Sequence, residues 1–374
     1  MEKLYLARFL RIFVLQIMKK ILLFCSFLLS VLSFSFAQET ERYFYTGLPY
    51  GSESMYNPLS LILNGSYDVI QLEGNSRNIR SYPYALAARE VGKNLRDPIS
   101  PIKNFGVKNF IEQEILPFNP SRKKAQGWPN LNLHLLGGGM TYVRMAEWYE
   151  FHNVPYPKTF SAVTMAVYHF LNEVVESGHT LGGNVDPIAD IYIFDLGGIL
   201  LFSVDDVQKF FSRTLHFTDW SLQPMISLRD GTLRNNGQYF SMKWNWFGSQ
   251  RWSAFYFFGI DGIVGASYLL DDNEHAISFG GGLRGAKRYV TDKNHNRMTV
   301  DLVWKFGFFY DRNNSLLTSL FLSGLYTDMA TLNIYPGFFT FAGLKPGVAL
   351  NVNKKFQPSV GITLQYLPGI SYGM

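Results

Sequence analysis

Apolar and polar positions alternate with a period of two through most of the C-terminal half. Over residues 237–246, Phe240, Met242, Trp244 and Trp246 alternate with Tyr239, Ser241, Lys243 and Asn245. Ile277, Phe279 and Leu283 alternate with Ser278, Gly280, Gly282 and Arg284, and Val300, Leu302, Trp304, Phe306 and Phe308 with Thr299, Asp301, Lys305 and Gly307. Near the end, Val360, Ile362, Leu364 and Tyr366 alternate with Ser359, Gly361, Thr363 and Gln365. A strand with this period turns one greasy, aromatic face to one side and a small or polar face to the other. Turn signals separate the runs at 230–231, 234–237, 271–273, 292–294, 312–314 and 351–355. Roughly nine or ten strands fit between Leu222 and Leu367, each about the ten residues that a tilted membrane strand needs.

The N-terminal half has a helical rhythm. After a loop-like stretch over 38–58, residues 59–72 read as one strand, and 84–95 and 109–115 as helices. A polar, basic linker follows over 117–129. Residues 131–152, 159–177, 188–202 and 205–214 then form a helical set. The chain thus divides into an N-terminal segment (38–130), a helical region (131–215) and a strand region (216–374).

Candidate chemistry concentrates in the apolar run 160–202, into which His169, Glu173, Glu176, Asp186, Asp190 and Asp195 are set. Unpaired buried charge costs at least several kcal/mol, so these side chains must meet each other, a cation, a ligand or water. His169, Glu173 and Glu176 follow i, i+4, i+7 and share one helix face. Together they could ligate a divalent metal, or one carboxylate could serve as a general base. The plainer reading is a solvated polar stripe, or a stripe paired with Arg144. Asp186 and Asp190 are further catalytic candidates, although Asp186-Pro187 also reads as an N-cap followed by proline at the first helical position, with Asp190 favourable in the first turn. His134, beside Gly137-Gly138-Gly139, is positioned to join the cluster. Tyr142 and Arg144 complete the substrate-binding candidates; with the glycines they read as close helix packing, Arg144 and Glu147 lying one turn apart as a pair worth only some tenths of a kcal/mol if exposed.

Composition adds a location. Aromatic residues make up 16% of the chain and charged residues only 17%, against about a quarter charged in soluble proteins. Lys19 and Lys20, the apolar run 21–32 and Ser35-Phe36-Ala37 read as a cleaved secretory signal peptide, with Met18 its natural start. Removing five basic residues (Lys3, Arg8, Arg11, Lys19, Lys20) and Glu2 from 34 and 29 leaves 29 against 28, a net of +1. No basic patch remains to recommend a nucleic-acid partner. The sole cysteine, Cys25, leaves with the signal, so no disulfide and no thiol chemistry is expected. No later segment has about 20 apolar residues in a row. A membrane location would therefore require a closed β-barrel, the other fold that satisfies every backbone group in lipid. The expected fold is mainly β with a helical N-terminal half: a transmembrane outer-membrane β-barrel of roughly 10–12 antiparallel strands, its helices plugging it, capping it or lying against it. A soluble sandwich shows the same alternation, but rarely so many Trp and Phe near strand ends.

The order Asn132-Leu133-His134, Gly138-x-x-x-Tyr142-x-Arg144, Phe160-Ser161, Glu173-x-x-Glu176, Asp186-Pro187-x-x-Asp190 and Gly197-Gly198 resembles the uncharacterised bacterial domain-of-unknown-function family 3943 over about residues 131–203. The resemblance implies outer-membrane association with a following barrel, and no assigned activity. Where that family tends to have Pro-Ser, this chain has Asp186-Pro187. Among enzyme motifs, no G-x-S-x-G, P-loop, H-E-x-x-H or cysteine zinc pattern occurs. Ser177-Gly178-His179 with Ser212, Arg213, His216 and Asp219 is similar to a lipid-phosphatase set, with His216 as nucleophile, His179 as acid and Arg213 for the phosphate. The Arg-to-His interval is too short, however, and no Lys-Arg-Pro element precedes it. Two functions follow. One is a non-enzymatic envelope barrel in the outer membrane of a Gram-negative bacterium, binding outer-membrane lipid, lipopolysaccharide or an envelope protein. The other is a membrane-embedded hydrolase of a lipid or lipopolysaccharide headgroup, with or without a divalent metal. A channel would need an open lumen.

Overall fold

The computed structural model describes residues 41–72, 76–116, 131–177, 184–246, 248–292 and 295–373, with side chains apart from those of 285–301. The signal peptide, the 117–129 linker, the 292–294 turn and His179 fall wholly or partly outside them. From Tyr43 onwards the chain forms one compact unit.

A single sheet of 13 strands dominates it. Short pieces β1 (Thr218–Asp219), β2 (Met225–Ser227) and β3 (Leu233–Arg234) come first. An antiparallel meander follows: β4 (Phe240–Asn245), β5 (Trp252–Phe258), β6 (Asp261–Leu269), β7 (His275–Asp292) and β8 (His295–Arg312). It continues through β9 (Ser315–Ser323), β10 (Ala330–Ile334), β11 (Gly347–Val352), β12 (Pro358–Leu364) and β13 (Leu367–Gly373). Asn235, Asn273, Asn313 and Asn314 adopt positive φ at the turns, as the turn signals require. β1 pairs with β4, whereas β2 pairs in parallel with β13. The stretch joining β1 to β2 is therefore bonded to both ends of the meander. On one side Trp220 N–H donates to the Tyr239 carbonyl and Leu222 N–H to Gly237. On the other, Leu228 N–H donates to Ser371, and Gly369 N–H to Pro224. The expectation of 10–12 wholly antiparallel strands is corrected to 13 with one parallel pair. Two- and three-residue strands are too short to carry an alternating signal.

The two faces divide as the alternation requires. Side chains on one face converge into an aromatic core of Trp220, Tyr239, Phe255, Phe257, Phe309 and Phe321. Polar groups are buried on that same face. Lys243 Nζ lies 2.6 Å from Asp311 Oδ1, and Lys305 Nζ 2.6 Å from Asp261 Oδ2. Small residues make room for the rings: a Cβ on Gly307 would sit 2.6 Å from the Phe309 ring. The opposite face is apolar and bare, with Val264 66%, Leu302 64% and Ile370 54% exposed beside Phe279, Trp304 and Ile362.

On β4 and β5 part of that apolar face is covered. Phe240, Met242 and Phe258 pack with Met140, Tyr142, Phe202 and Phe217 from the helical part. The helices therefore lie against the sheet at this place. They include α1 (Tyr84–Arg96), α2 (Gly139–Phe151), α3 (Pro157–Ser177) and α4 (Leu196–Phe202). Wide π-type turns at Leu131–Gly138 and Asp190–Asp195 lead into α2 and α4. Residues 59–72, expected as a strand, are helical turns instead. Asn57 starts them by accepting the Ser60 N–H, with Pro58 at the first position. A short apolar run has no period that separates strand from helix. Asn64 and Asn236 tie these turns to the β1–β2 stretch through Leu222 O, Gly237 N and Tyr67 O.

Candidate metal centre

Three helical segments converge on one buried group of side chains. α3 brings His169 and Glu173, one turn apart on the face turned inward. The Leu131–Gly138 turn brings His134, and the Asp190–Asp195 turn brings Asp190 and Asp195. Glycines let these segments approach. A Cβ on Gly198 would sit 2.4 Å from the Leu135 carbonyl oxygen, and one on Gly139 2.6 Å from the Gly198 oxygen. Neither can exist without moving backbone, so the two glycine clusters are contact points between helices. Gly138 forms part of the wall of the centre: a Cβ there would lie 3.5 Å from Asp195 Oδ1 and 3.6 Å from His169 Nε2.

His134 is the hub. Its Nδ1 lies 3.1 Å from Asp195 Oδ1 and its Nε2 3.5 Å from Asp190 Oδ2. His169 Nδ1 stands 3.1 Å from Asp195 Oδ2, and the two imidazole rings are 5.3 Å apart. His134, His169 and Asp195 each offer a ligand atom within 4.8 Å of the others, as do His134, Glu173 and Asp190. Nitrogen and oxygen donors about 2.0–2.2 Å from an ion stand at most about 4.2 Å apart, so small movements close either set around a metal. Imidazole with carboxylate is a donor set for Zn²⁺, Mn²⁺ or Fe²⁺.

The hydrogen bonding supports a missing cation. His169 is 3%, Glu173 1%, Asp190 2% and Asp195 6% exposed. Yet both ring nitrogens of His169, both carboxylate oxygens of Glu173, Asp190 Oδ1 and Asp195 Oδ2 make no hydrogen bond. The His169–Asp195 contact is within ion-pair range without hydrogen-bond alignment. Buried polar atoms are nearly always satisfied, and a structural His–Asp network would satisfy these. A metal ion would take one donor atom from each residue of a set.

The electrostatics point the same way. Burial pushes the Glu173 carboxyl well above the usual carboxylate range, with repulsion from Asp186 and Glu176 adding to it. Burial does the same to Asp190, helped by Asp186 and Glu173. Burial drives the His169 imidazole down to about 4, against the pull of Asp195. For His134 burial acts downward too, but the hydrogen bond and charge of Asp195, with Asp186 and Asp68, outweigh it and the pKa rises. Asp68, raised to about 7 by burial and by Glu176, lies within electrostatic reach. Carboxylates crowded into a dry site either take up protons or hold a cation.

Several expectations need correction. Glu176 is half-buried and belongs to neither ligand set; it acts on Asp68 and Glu173 as a repelling charge. Asp186 is the first residue of a short helix (Asp186–Ala189), not its N-cap, which is Val185. Tyr142 and Arg144 point elsewhere. The Tyr142 carbonyl accepts from Ser161 Oγ. Arg144, 1% exposed, stands 3.8 Å from Glu53 and stacks over Tyr56. Glu147 is buried as well, accepting the backbone N–H groups of Tyr43, Phe44 and Tyr45. Arg144 and Glu147 are thus both buried anchors for the chain before Asn57. Of the lipid-phosphatase set, Arg213 stacks over Tyr43 and Asp219 accepts the Ser221 N–H. Asp195, named with the other charges of the run but given no catalytic or metal role, is central. Its place in an apolar run, five residues after Asp190, was the available signal.

Against protein families, curated proteins and solved structures the chain finds no match. The resemblance to family 3943 therefore rests on the motif residues themselves.

Proposed function

We propose that this chain is an integral outer-membrane β-barrel protein whose helical part holds a divalent metal ion at His134, His169, Glu173, Asp190 and Asp195. The function proposed is non-catalytic: the ion fastens the helical segments to one another beside the barrel. The observation that carries it is that His169, Glu173, Asp190 and Asp195 are buried with side-chain atoms that make no hydrogen bond, in two ligand sets that share His134. Hydrolysis of a lipid headgroup would need substrate to reach the ion, and four ligands 1–6% exposed, with the His134 side chain at 14%, favour a closed, structural centre.

The membrane location is supported by the bare apolar face of β6 to β13. It carries exposed large apolar side chains on strand after strand, among them Val264, Phe279, Leu302, Phe306, Val360 and Ile370, while the opposite face is buried. Trp304 of β8 is exposed on it, and Trp244, Trp246 and Trp252 are exposed at the uncovered end of β4 and β5, as aromatics of a girdle would be. The β1–β2 stretch, bonded to both ends of the meander, supplies the closure that a barrel in lipid requires. Lipid is then the partner of the outer face.

Elemental analysis of detergent-purified protein tests the proposal. Wild type should retain near-stoichiometric Zn, Mn or Fe, and His134→Ala should lose it while still folding. Equal metal content in both proteins, or none in either after reconstitution, would refute the centre.

A further inference from the structure

The helical part has an outer surface of its own, and it is apolar. On α3, Phe160, Val163 and Val167 are exposed at i, i+3 and i+7, forming one stripe. On the neighbouring segment Tyr192, Ile193 and Leu200 are exposed. Each stripe runs about seven or eight residues, roughly 11–12 Å at 1.5 Å per residue.

Both stripes end in polar turns on the same side of the unit. Beyond α3 these are Glu150, Asn153 and Lys158; beyond α4 they are Ser203, Asp205 and Asp206, all exposed. Tyr43 links the two ends, its N–H on Glu147 and its hydroxyl on Asp205. At the other end α1 packs over Val174 and Phe170 and turns Arg89, Lys93 and Arg96 outward. An apolar belt between an acidic or polar rim and a basic one is the profile of a body in the membrane interface.

The helices also stand where lipid would otherwise stand. They cover Phe240, Met242 and Phe258, and the next positions in the same rows, Trp244 and Val264, are bare members of the apolar band. The covered patch and the exposed band are one surface.

We infer that the helical unit is sunk into one leaflet of the bilayer beside the barrel wall, with the Phe160–Val163–Val167 stripe and Tyr192, Ile193 and Leu200 facing acyl chains. A belt of about 12 Å matches one leaflet of a hydrocarbon core about 30 Å thick, and among the described residues no single helix is long and apolar enough to cross it. The basic face of α1 then lies at the level of anionic headgroups. This inference rests on the barrel reading.

Site-directed lipid-accessibility measurements test it. Cys25 is the only cysteine, so single cysteines in a Cys25→Ser background can be labelled without interference. The variants are Val163→Cys, Val167→Cys and Leu200→Cys on the helices, Phe306→Cys on the barrel band and Lys93→Cys on the basic face. Each carries a fluorophore in phosphatidylethanolamine–phosphatidylglycerol vesicles containing doxyl-labelled lipid. Quenching at the three helix sites should equal that at Phe306 and exceed that at Lys93. Strong lipid quenching at Phe306 with only aqueous quenching at the helix sites would overturn the inference and leave the barrel reading standing. Helix sites shielded from both quenchers would overturn it in favour of a second copy of the chain. A Phe306 site open to water would sink both.

Discussion

Replacing Glu173 by glutamine separates a metal ligand from a structural acid. Burial, with the charge of Asp186, pushes the Glu173 carboxyl well above the usual carboxylate range and so favours the protonated acid in the ion-free protein, and its two oxygens make no hydrogen bond. Glutamine copies the size and neutrality of that protonated acid. In a chelator, therefore, Glu173→Gln should unfold within about 1 kcal/mol of wild type. The response to metal should differ sharply. At an ion concentration 100 times Kd, wild type gains about 2.7 kcal/mol, or about 5 °C in Tm for a chain of this size. Losing a ligand costs at least about 100-fold in affinity, since even outer-shell changes cost about 10–100-fold. At the same ion concentration the variant then gains only about 0.4 kcal/mol. Thermal unfolding followed by circular dichroism in detergent, with EDTA or with Zn²⁺ or Mn²⁺, reads both numbers. Equal metal-induced shifts in the two proteins would refute the reasoning. So would a chelated variant about 3 kcal/mol or more below wild type, which would make Glu173 a hydrogen-bonding structural residue.

Other outcomes follow from other parts of the molecule. Val264→Arg places a charge on the bare apolar face; in lipid it should cost about 2–4 kcal/mol and impair insertion into vesicles, and unchanged folding and insertion would contradict a membrane-facing position. Gly198→Ala drives a methyl to 2.4 Å from the Leu135 oxygen and should lower stability by about 1–3 kcal/mol while weakening metal retention; neutral behaviour on both counts would contradict the close approach. Asp68 tests the pH dependence. Its pKa rises on folding from 3.8 to about 7, so the folded state binds the proton more tightly. Its contribution is intact below about pH 4 and is lost as pH rises through about 7. Three units correspond to a ceiling of about 4 kcal/mol, which partial exposure halves to about 2 kcal/mol. Unfolding at pH 5 and pH 8 crosses about two of those three units, so Asp68→Asn should lose about 1 kcal/mol less than wild type between them, and identical losses would disprove that role.

Strand alternation survived into the structure almost residue for residue: Phe240, Met242 and Trp244 share one face and Ser241 and Lys243 the other, as do Trp304, Phe306 and Phe308 against Lys305 and Gly307. A period of two is a local property, and local sequence reports it. What local sequence cannot report is which part of a face another element covers, so the seat of the helices on Phe240 and Phe258 was illegible. The 59–72 strand failed because an apolar run without a period is decided by its cap, and Asn57-Pro58 was that cap. Within the site, His169 and Glu173 were readable from helical spacing. His134, Asp190 and Asp195 come from other segments, and the helix approaches that gather them depend on Gly139 and Gly198, whose role shows only when both backbones are present. Spacing alone also over-called Glu176, which shares the stripe but stops short of the buried end.

The most direct test of the metal centre is X-ray absorption at the metal edge of protein loaded with one equivalent of Zn²⁺ or Mn²⁺. The account predicts a first shell of nitrogen and oxygen at about 2.0–2.2 Å with the multiple scattering of two imidazole rings, reduced to one ring in His169→Ala. A shell of oxygen alone, without imidazole scattering, would contradict it.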